Sequence, residues 1–491
     1  MSQIVGTGRR PLVLAACMAA MFMAAVEATI VATAMPTIVA DLGGFSLLSW
    51  VFAAYLLTQA VTIPIYGRLA DLYGRKHVFF AGAAVFLVGS TLCGFAPSML
   101  LLVAFRALQG LGAGAIMPVA QTIVGDIYTP AERAKIQGLL SSVWGFSAIV
   151  GPLLGALIVE RLSWSLIFWI NLPIGATAIA MLAIYLPEEK LRRPHSIDFA
   201  GAFCMVLAIV ALMFALLNLT GLGWWVVPLL LLSVVAFALL FAQERRAMEP
   251  LLPLSLWRDR TVLAGNIGGL AIGGAMMGTS AFLPTYVQGV MGRDALAGGV
   301  VLALMSVGWP IASTLAGRLM LATSYRTTAV IGGVFLLCGS AMLATVGDNI
   351  VQAGLAATLI GAGMGMGSTT FLVSVQNSAV RSLRGIATAS ALFMRMLGSA
   401  LGAALLGSVL NFSLAGSSPA IADPVQVLMD AERRARLSAD TVGRLVTDVS
   451  QAMHSVFWAG CVLAALALAA AWLVPSALRP GHMAEGRAAA E

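Results

Sequence analysis

The feature that most limits what this chain can become is a series of unbroken apolar runs. Each is roughly 17–25 residues long, the length one membrane crossing needs. They begin near Pro11, Leu47, Val78, Leu100, Ile136, Leu166, Phe199, Trp225, Val262, Ala295, Thr328, Gln352, Ala387 and Ala452, fourteen in all. Of the 491 residues, 60% are hydrophobic and 10% charged, whereas a soluble globular chain carries roughly 25% charged residues. No soluble fold of this size can hide so much apolar surface. A transmembrane β-barrel is excluded too, because its strands alternate apolar with polar residues and these runs are continuous. The expected fold class is an all-α integral membrane protein with 14 transmembrane helices.

Arg9-Arg10 ahead of an apolar run has the outline of a signal peptide, but the run continues to about Ala40 and is read as the first span. A net charge of +7 would suggest nucleic-acid binding in a soluble chain. In a membrane protein the basic residues hold cytoplasmic loops in place, so no nucleic-acid partner is expected. With the N-terminus inside, twenty of the twenty-eight Lys and Arg residues fall in inside loops and six in outside loops, with Arg106 and Arg395 inside spans. The expected location is the cytoplasmic (inner) membrane, multi-pass, both termini cytoplasmic. Cys17, Cys93, Cys204, Cys338 and Cys461 all fall inside spans with no CxxC pair and read as packing residues.

Internal repetition sets the architecture. Gly67-Arg68-Leu69 recurs as Gly317-Arg318-Leu319, 250 residues later. Gly112 and Gly114 match Gly363 and Gly365, Arg133 matches Arg384 and Gly151 matches Gly402, all at an offset of 251. A constant offset across several spans argues for duplication, giving two six-helix bundles plus two inserted helices. The expected divisions are an N-terminal bundle over 11–187, inserted helices over 198–243 and a C-terminal bundle over 261–474. Parallel repeats of this kind build transporters, with the site between halves near the midplane. The outside loop 413–451 reads as a solvated or surface-lying helix.

Glu27 stands alone among the twenty-one acidic residues in lying near mid-membrane. A carboxylate there costs at least ~2.5–3.5 kcal/mol on insertion scales. It is either satisfied by a structural partner or it binds protons, and competition between a proton and a cation for one carboxylate is the simplest chemistry of antiport. At ~1.5 Å rise per residue, Glu27 lies ~22 Å from the cytoplasmic end of helix 1. Arg106, descending from the outer end of the fourth span, lies ~21 Å above the inner face of a ~30 Å core. A pair or water-bridged relay is geometrically available; the alternative is an Arg bonded to helix carbonyls. Arg395, ~12 Å into its span, is balanced between a structural and a substrate-facing role. Tyr55, Gln59, Gln121, Asn266, Gln376, Asn377 and Arg395 are the polar candidates for a substrate cavity; each of the uncharged ones is also a candidate interhelical hydrogen bond.

Across the turn from the second span to the third the chain reads GRLADLYGRKHVFF, Gly67 to Phe80. Gly67 and Gly74 permit a tight turn, and Asp71 can accept from backbone donors. This stretch resembles, nearly residue for residue, the signature loop of the major facilitator superfamily. RALQGLGAG from Arg106 and WGFSAIVGPLLGA from Trp144 are similar to that superfamily's span-four and span-five antiporter motifs, with Gly145, Gly151, Pro152 and Gly155 in place and Ser147 and Ala156 where glycine is common. EATIVATAMP from Glu27, WSLIFWINLPIG from Trp164 and RGIATAS from Arg384 are similar to its 14-span drug:proton antiporter branch, which more often carries Asp where this chain has Glu27.

The resemblance implies proton-coupled efflux of amphipathic, cationic or neutral lipophilic drugs by alternating access, with Glu27 and Arg106 in proton coupling. It implies a cytoplasmic gate at Gly67, Asp71, Gly74, Arg75 and Asp126. The partners expected are a small lipophilic substrate and membrane lipid, with the monomer as functional unit, no metal, and no cofactor beyond the proton. Export of an endogenous metabolite, antibiotic or lipid is the alternative on the same fold, and nutrient symport is further off. His77, His195, His454 and His482 are scattered with no HExxH spacing, so no catalytic constellation is expected, and no GxxxxGK[ST] loop is present for a primary pump.

Overall fold

Residues 8–43, 47–187, 198–217, 223–246, 254–415, 424–429, 434 and 437–476 are described by the computed structural model. Every regular element among them is helical: α1 (Arg10–Leu42), α2 (Leu48–Tyr73), α3 (Arg75–Gly94), α4 (Met99–Ile127), α5 (Pro130–Arg161), the short α6 (Leu166–Trp169), α7 (Asn171–Tyr185), α8 (Phe199–Leu217), α9 (Val226–Glu244), α10 (Leu254–Arg258), α11 (Arg260–Thr285), α12 (Ala295–Ala322), α13 (Tyr325–Ala344), α14 (Ile350–Ser378), α15 (Arg384–Ala415), α16 (Pro424–Met429) and α17 (Ala439–Leu473).

Helix boundaries follow local chemistry. Between α2 and α3 the chain turns at Gly74, whose φ of 93° is closed to most side chains. Ser98 caps α4 by accepting from the Leu101 N–H, and Asp294 and Ser324 do the same for α12 and α13. At α5, Thr129 and Glu132 exchange side-chain and backbone bonds in a capping box, with Pro130 in the first turn.

Twelve helices among the described residues are long and apolar enough to cross a membrane; the expected fourteen are not reached. The expected spans beginning near Ile136 and Phe199 lie in α5 and α8, which are not among those twelve. In α5 the charges Glu132, Arg133 and Lys135, then Glu160 and Arg161, flank a stretch without charge over 136–159. Helix α8 runs 19 residues, Phe199–Leu217, without a charged residue. The last helix is longer than expected. Residues 439–451, read as part of a separate outside helix, continue without a break into the final span, so that α17 runs 35 residues.

The helices divide into two compact units, Met1–Leu263 with Leu372–Phe393, and Ala264–Phe371 with Met394–Glu491. Within the first, α4 packs between α2 and α3, and α1 lies against α5 and α7. Within the second, α13 packs against α17.

The sequence repeat has a physical counterpart inside each unit. A Cβ placed on Gly112 would sit 2.2 Å from the Phe86 nitrogen, and one on Gly363 would sit 2.4 Å from the Leu336 nitrogen. A Cβ on Gly114 would lie 2.9 Å from the Gln59 carbonyl oxygen, and one on Gly365 would lie 2.2 Å from that of Trp309. Both partners are displaced by 250 residues while the glycines themselves are displaced by 251. Small residues let these backbones touch, as lipid-embedded helices require.

Candidate functional site

Two polar assemblies stand out in the first unit, one deep in the helices and one at the end that carries the α2–α3 turn. The deep one is built around Glu27, which is fully buried in α1. Its carboxylate receives the Arg106 guanidinium from α4 at 2.5 Å and the Asn171 amide from α7 at 2.6 Å. Arg106 also donates to Gln109 Oε1 at 2.7 Å and to the Val51 carbonyl at 3.2 Å. Asn171 and Gln109 both donate to Ser90 Oγ, which in turn donates to the Phe168 carbonyl at 2.7 Å. Tyr55 covers the guanidinium, its ring centroid 4.1 Å away, within range of a cation–π contact.

This arrangement explains how a carboxylate survives among apolar side chains. The charge is matched by Arg106 and the remaining lone pairs are met by an amide, so neither ion is left uncompensated. Arg106 has acceptors in Gln109 and Val51 besides Glu27, which gives the guanidinium alternatives when the carboxylate is neutralised. Of the arrangements that helix depth leaves open for Glu27 and Arg106, the structure has the direct pair. Asn171 and Ser90 went unrecognised in the sequence, although an asparagine interrupting the apolar run LIFWINLPIG is the same kind of signal as Glu27.

The second assembly is a network of charges. Arg75 reaches Asp71 at 2.8 Å and Asp126 at 2.9 Å, and donates to the Ala70 carbonyl at 3.0 Å. On its other oxygen Asp126 accepts from Arg384 at 2.5 Å. Asp71 accepts from the backbone N–H groups of Gly385 and Ile386, at 3.0 and 2.9 Å. These are orphan donors at the start of α15, where a negative charge is favoured by the helix dipole. The close approach that allows this depends on Gly67 and Gly385. Arg384 further donates to the Gln376 and Gly125 carbonyls, and Arg133 donates to the Tyr128 carbonyl and to Asn377 Oδ1. Lys76 completes the turn by donating to the Ala183 and Leu186 carbonyls at the end of α7.

The remaining candidates distribute unevenly. Gln376 places its amide on the Gln121 carbonyl at 3.2 Å, and Asn377 accepts from Arg133. Tyr55 belongs to the Glu27 assembly. Gln59 is partly accessible on α2, while Gln121 and Asn266 are buried. Arg395 lies in the second unit, 6.0 Å from the Trp309 ring centroid. On α5, Gly151 and Gly155 are buried and Gly145 is partly so. The side chain of Pro152 lies outside the described residues. Gly151 faces Thr29 of α1, whose hydroxyl donates to the Val26 and Ser147 carbonyls. In the sequence Arg384 is legible by its repeat partner and its motif, while its place as the second guanidinium on Asp126 is not.

Residues 17–403 match the Major Facilitator Superfamily, and the chain belongs to that family of membrane transporters. It is similar to the "Multidrug transporter protein MdtP" of Bacillus subtilis (strain 168), 35% identical over 402 residues that cover 80% of this chain and 74% of that one. It is also similar to "Multidrug resistance protein 3" of the same organism, 37% identical over 387 residues, covering 77% and 75%. The fold resembles the crystal structure of the human organic anion transporter MFSD10 (TETRAN), with a TM-score of 0.62 at 15% identity over 92% of this chain and 99% of that one.

Proposed function

We propose that this protein exports amphipathic drugs, cationic or neutral and lipophilic, across the cytoplasmic membrane in exchange for protons. The observation that carries the reading is the buried Glu27 carboxylate, held by Arg106 and Asn171 in a chain whose relatives are named multidrug transporters. In this account Glu27 takes up a proton, Arg106 turns to Gln109 and the Val51 carbonyl, and the loosened contact between α1 and α4 lets the helices rearrange. Release of the proton restores the pair. Charge conservation makes the coupling natural, since the pair is neutral with the proton gone and cationic with it bound.

The Asp71–Arg75–Asp126–Arg384 network acts in this account as the cytoplasmic gate. It joins α2, α3 and α4 to the start of α15, and opening that side requires its ion pairs to separate. The two helices α5 and α8 complete a 14-span topology with both termini inside, and the monomer is the working unit with the proton as its only coupling ion. A proteoliposome assay tests the reading. With an imposed proton gradient, wild-type protein should move a fluorescent cation against its concentration gradient, and Glu27→Gln should abolish the dependence on the gradient. Gradient-independent flux in the wild type, or wild-type coupling in the variant, would overturn it.

A further inference from the structure

Arg395 stands eleven residues into α15, ~16 Å from its first residue, which places a guanidinium deep within a membrane-spanning helix. Its side of the helix is not the lipid side. Leu392, Ser399, Gly402 and Leu406, at −3, +4, +7 and +11 from it, form a stripe turned toward neighbouring helices, with Leu392 and Leu406 buried and Ser399 bonded to the Gly273 carbonyl of α11. Leu405 and Phe412, 55% and 85% exposed, mark the outward stripe. Arg395 therefore points inward, yet it is only partly buried, as is Trp309.

An intramembrane cation is expected to have a partner, as Arg106 has Glu27. Among the described residues Arg395 has no carboxylate partner and no side-chain hydrogen bond; its contact is the Trp309 ring on α12. The fold does not demand the pair. At the repeat offsets the first unit carries Trp144 and Gln59 where the second carries Arg395 and Trp309, and the same glycine packing is made beside Gln59 as beside Trp309. What is left is a planar cation with no carboxylate among the described residues, beside an indole face, both partly buried.

We infer that Arg395 and Trp309 form a binding site for an aromatic organic anion, the guanidinium taking a carboxylate or sulfonate through paired N–H donors and the indole stacking on the ring. This rests on the export reading in making the anion a substrate and widens that reading beyond cations and neutral compounds. The Glu27 assembly offers a cation no free negative charge while Arg106 is paired, whereas Arg395 offers an anion a free positive one.

The test is binding to the full chain in nanodiscs, read by fluorescence anisotropy with two probes of one shape: pyrenesulfonate and pyrenyl-trimethylammonium. The wild type should bind the sulfonate more tightly. In Arg395→Gln the ratio of sulfonate to ammonium affinity should fall at least about tenfold, while Arg395→Lys, which keeps the charge without the fork, should lose a smaller part of it. An unchanged ratio in Arg395→Gln, or a wild type that does not prefer the sulfonate, overturns the inference. If Arg395→Gln does not fold, Trp309→Leu replaces it and should weaken pyrenesulfonate more than octanesulfonate; equal losses overturn the inference. Transport in proteoliposomes separates the two claims. Anion binding without movement of either probe removes the export reading and leaves the site, and cation export without anion binding does the reverse.

Discussion

Gly67 of α2 and Gly385 of α15 approach so closely that a Cβ on Gly385 would lie 2.6 Å from the Gly67 carbonyl oxygen and 2.7 Å from Asp71 Oδ1. This contact brings the Asp71 carboxylate onto the backbone N–H groups at the start of α15. Gly385→Ala should therefore break two charge-assisted bonds as well as overpack the helices, a cost of about 1–3 kcal/mol for the overpacking. Transport in vesicles should fall at least about tenfold, with a lower melting temperature. A variant with both at wild-type values would show that the helices separate without loss.

Asp126 sits between two guanidiniums, Arg75 and Arg384, and is almost entirely buried itself. Asp126→Asn should be more damaging than Arg384→Gln, because it removes the anion that Arg384 and Arg75 share and leaves Arg75 to Asp71. A double-mutant cycle on Asp126 and Arg384, followed by thermal unfolding in detergent, should give a coupling of about 0.5–3 kcal/mol. Additive effects would mean that the 2.5 Å contact contributes nothing to stability.

For the Glu27–Arg106 pair, the removal of one partner strands the other. Arg106→Gln alone should destabilise by about 3–5 kcal/mol, and Glu27→Gln combined with Arg106→Gln should recover part of that loss. Melting curves of the three variants decide it. A double variant less stable than Arg106→Gln would contradict the idea that Arg106 is held in place chiefly by its ion pair.

Where α5 meets α1, a Cβ on Gly151 would fall 2.0 Å from Thr29 Oγ1. Gly151→Ala should cost about 1–3 kcal/mol from crowding, and Thr29→Ala in the same chain should relieve some of it by removing the hydroxyl. If the second change gives no recovery of either transport or melting temperature, the crowding lies elsewhere.

Much of this arrangement could be read before any coordinates, and the reasons differ from residue to residue. Glu27 and Arg106 announce themselves because each is a charge in an apolar run, and counting residues along two helices is enough to bring them to one depth. Asn171 and Ser90 escape because an amide or hydroxyl in such a run has many acceptable partners, and helix rotation, which decides among them, is fixed by packing. The partners of Gln376 and Asn377, the Gln121 carbonyl and Arg133, are hidden in the sequence for the same reason. Helix α8 is apolar along its whole length and carries no charge, as its sequence alone shows. At α17 the polar residues before Ala452 suggested a break, but Ser438 caps the helix ahead of them and Arg444 pairs with Asp440 one turn on, so the helix runs through.

That uninterrupted α17 is ~52 Å long, about 20 Å more than a ~30 Å hydrocarbon core can contain. A soluble marker domain spliced in helical phase just ahead of Ala439 would ride on roughly four turns of stiff rod standing clear of lipid. It would provide an orientation handle for single-particle imaging.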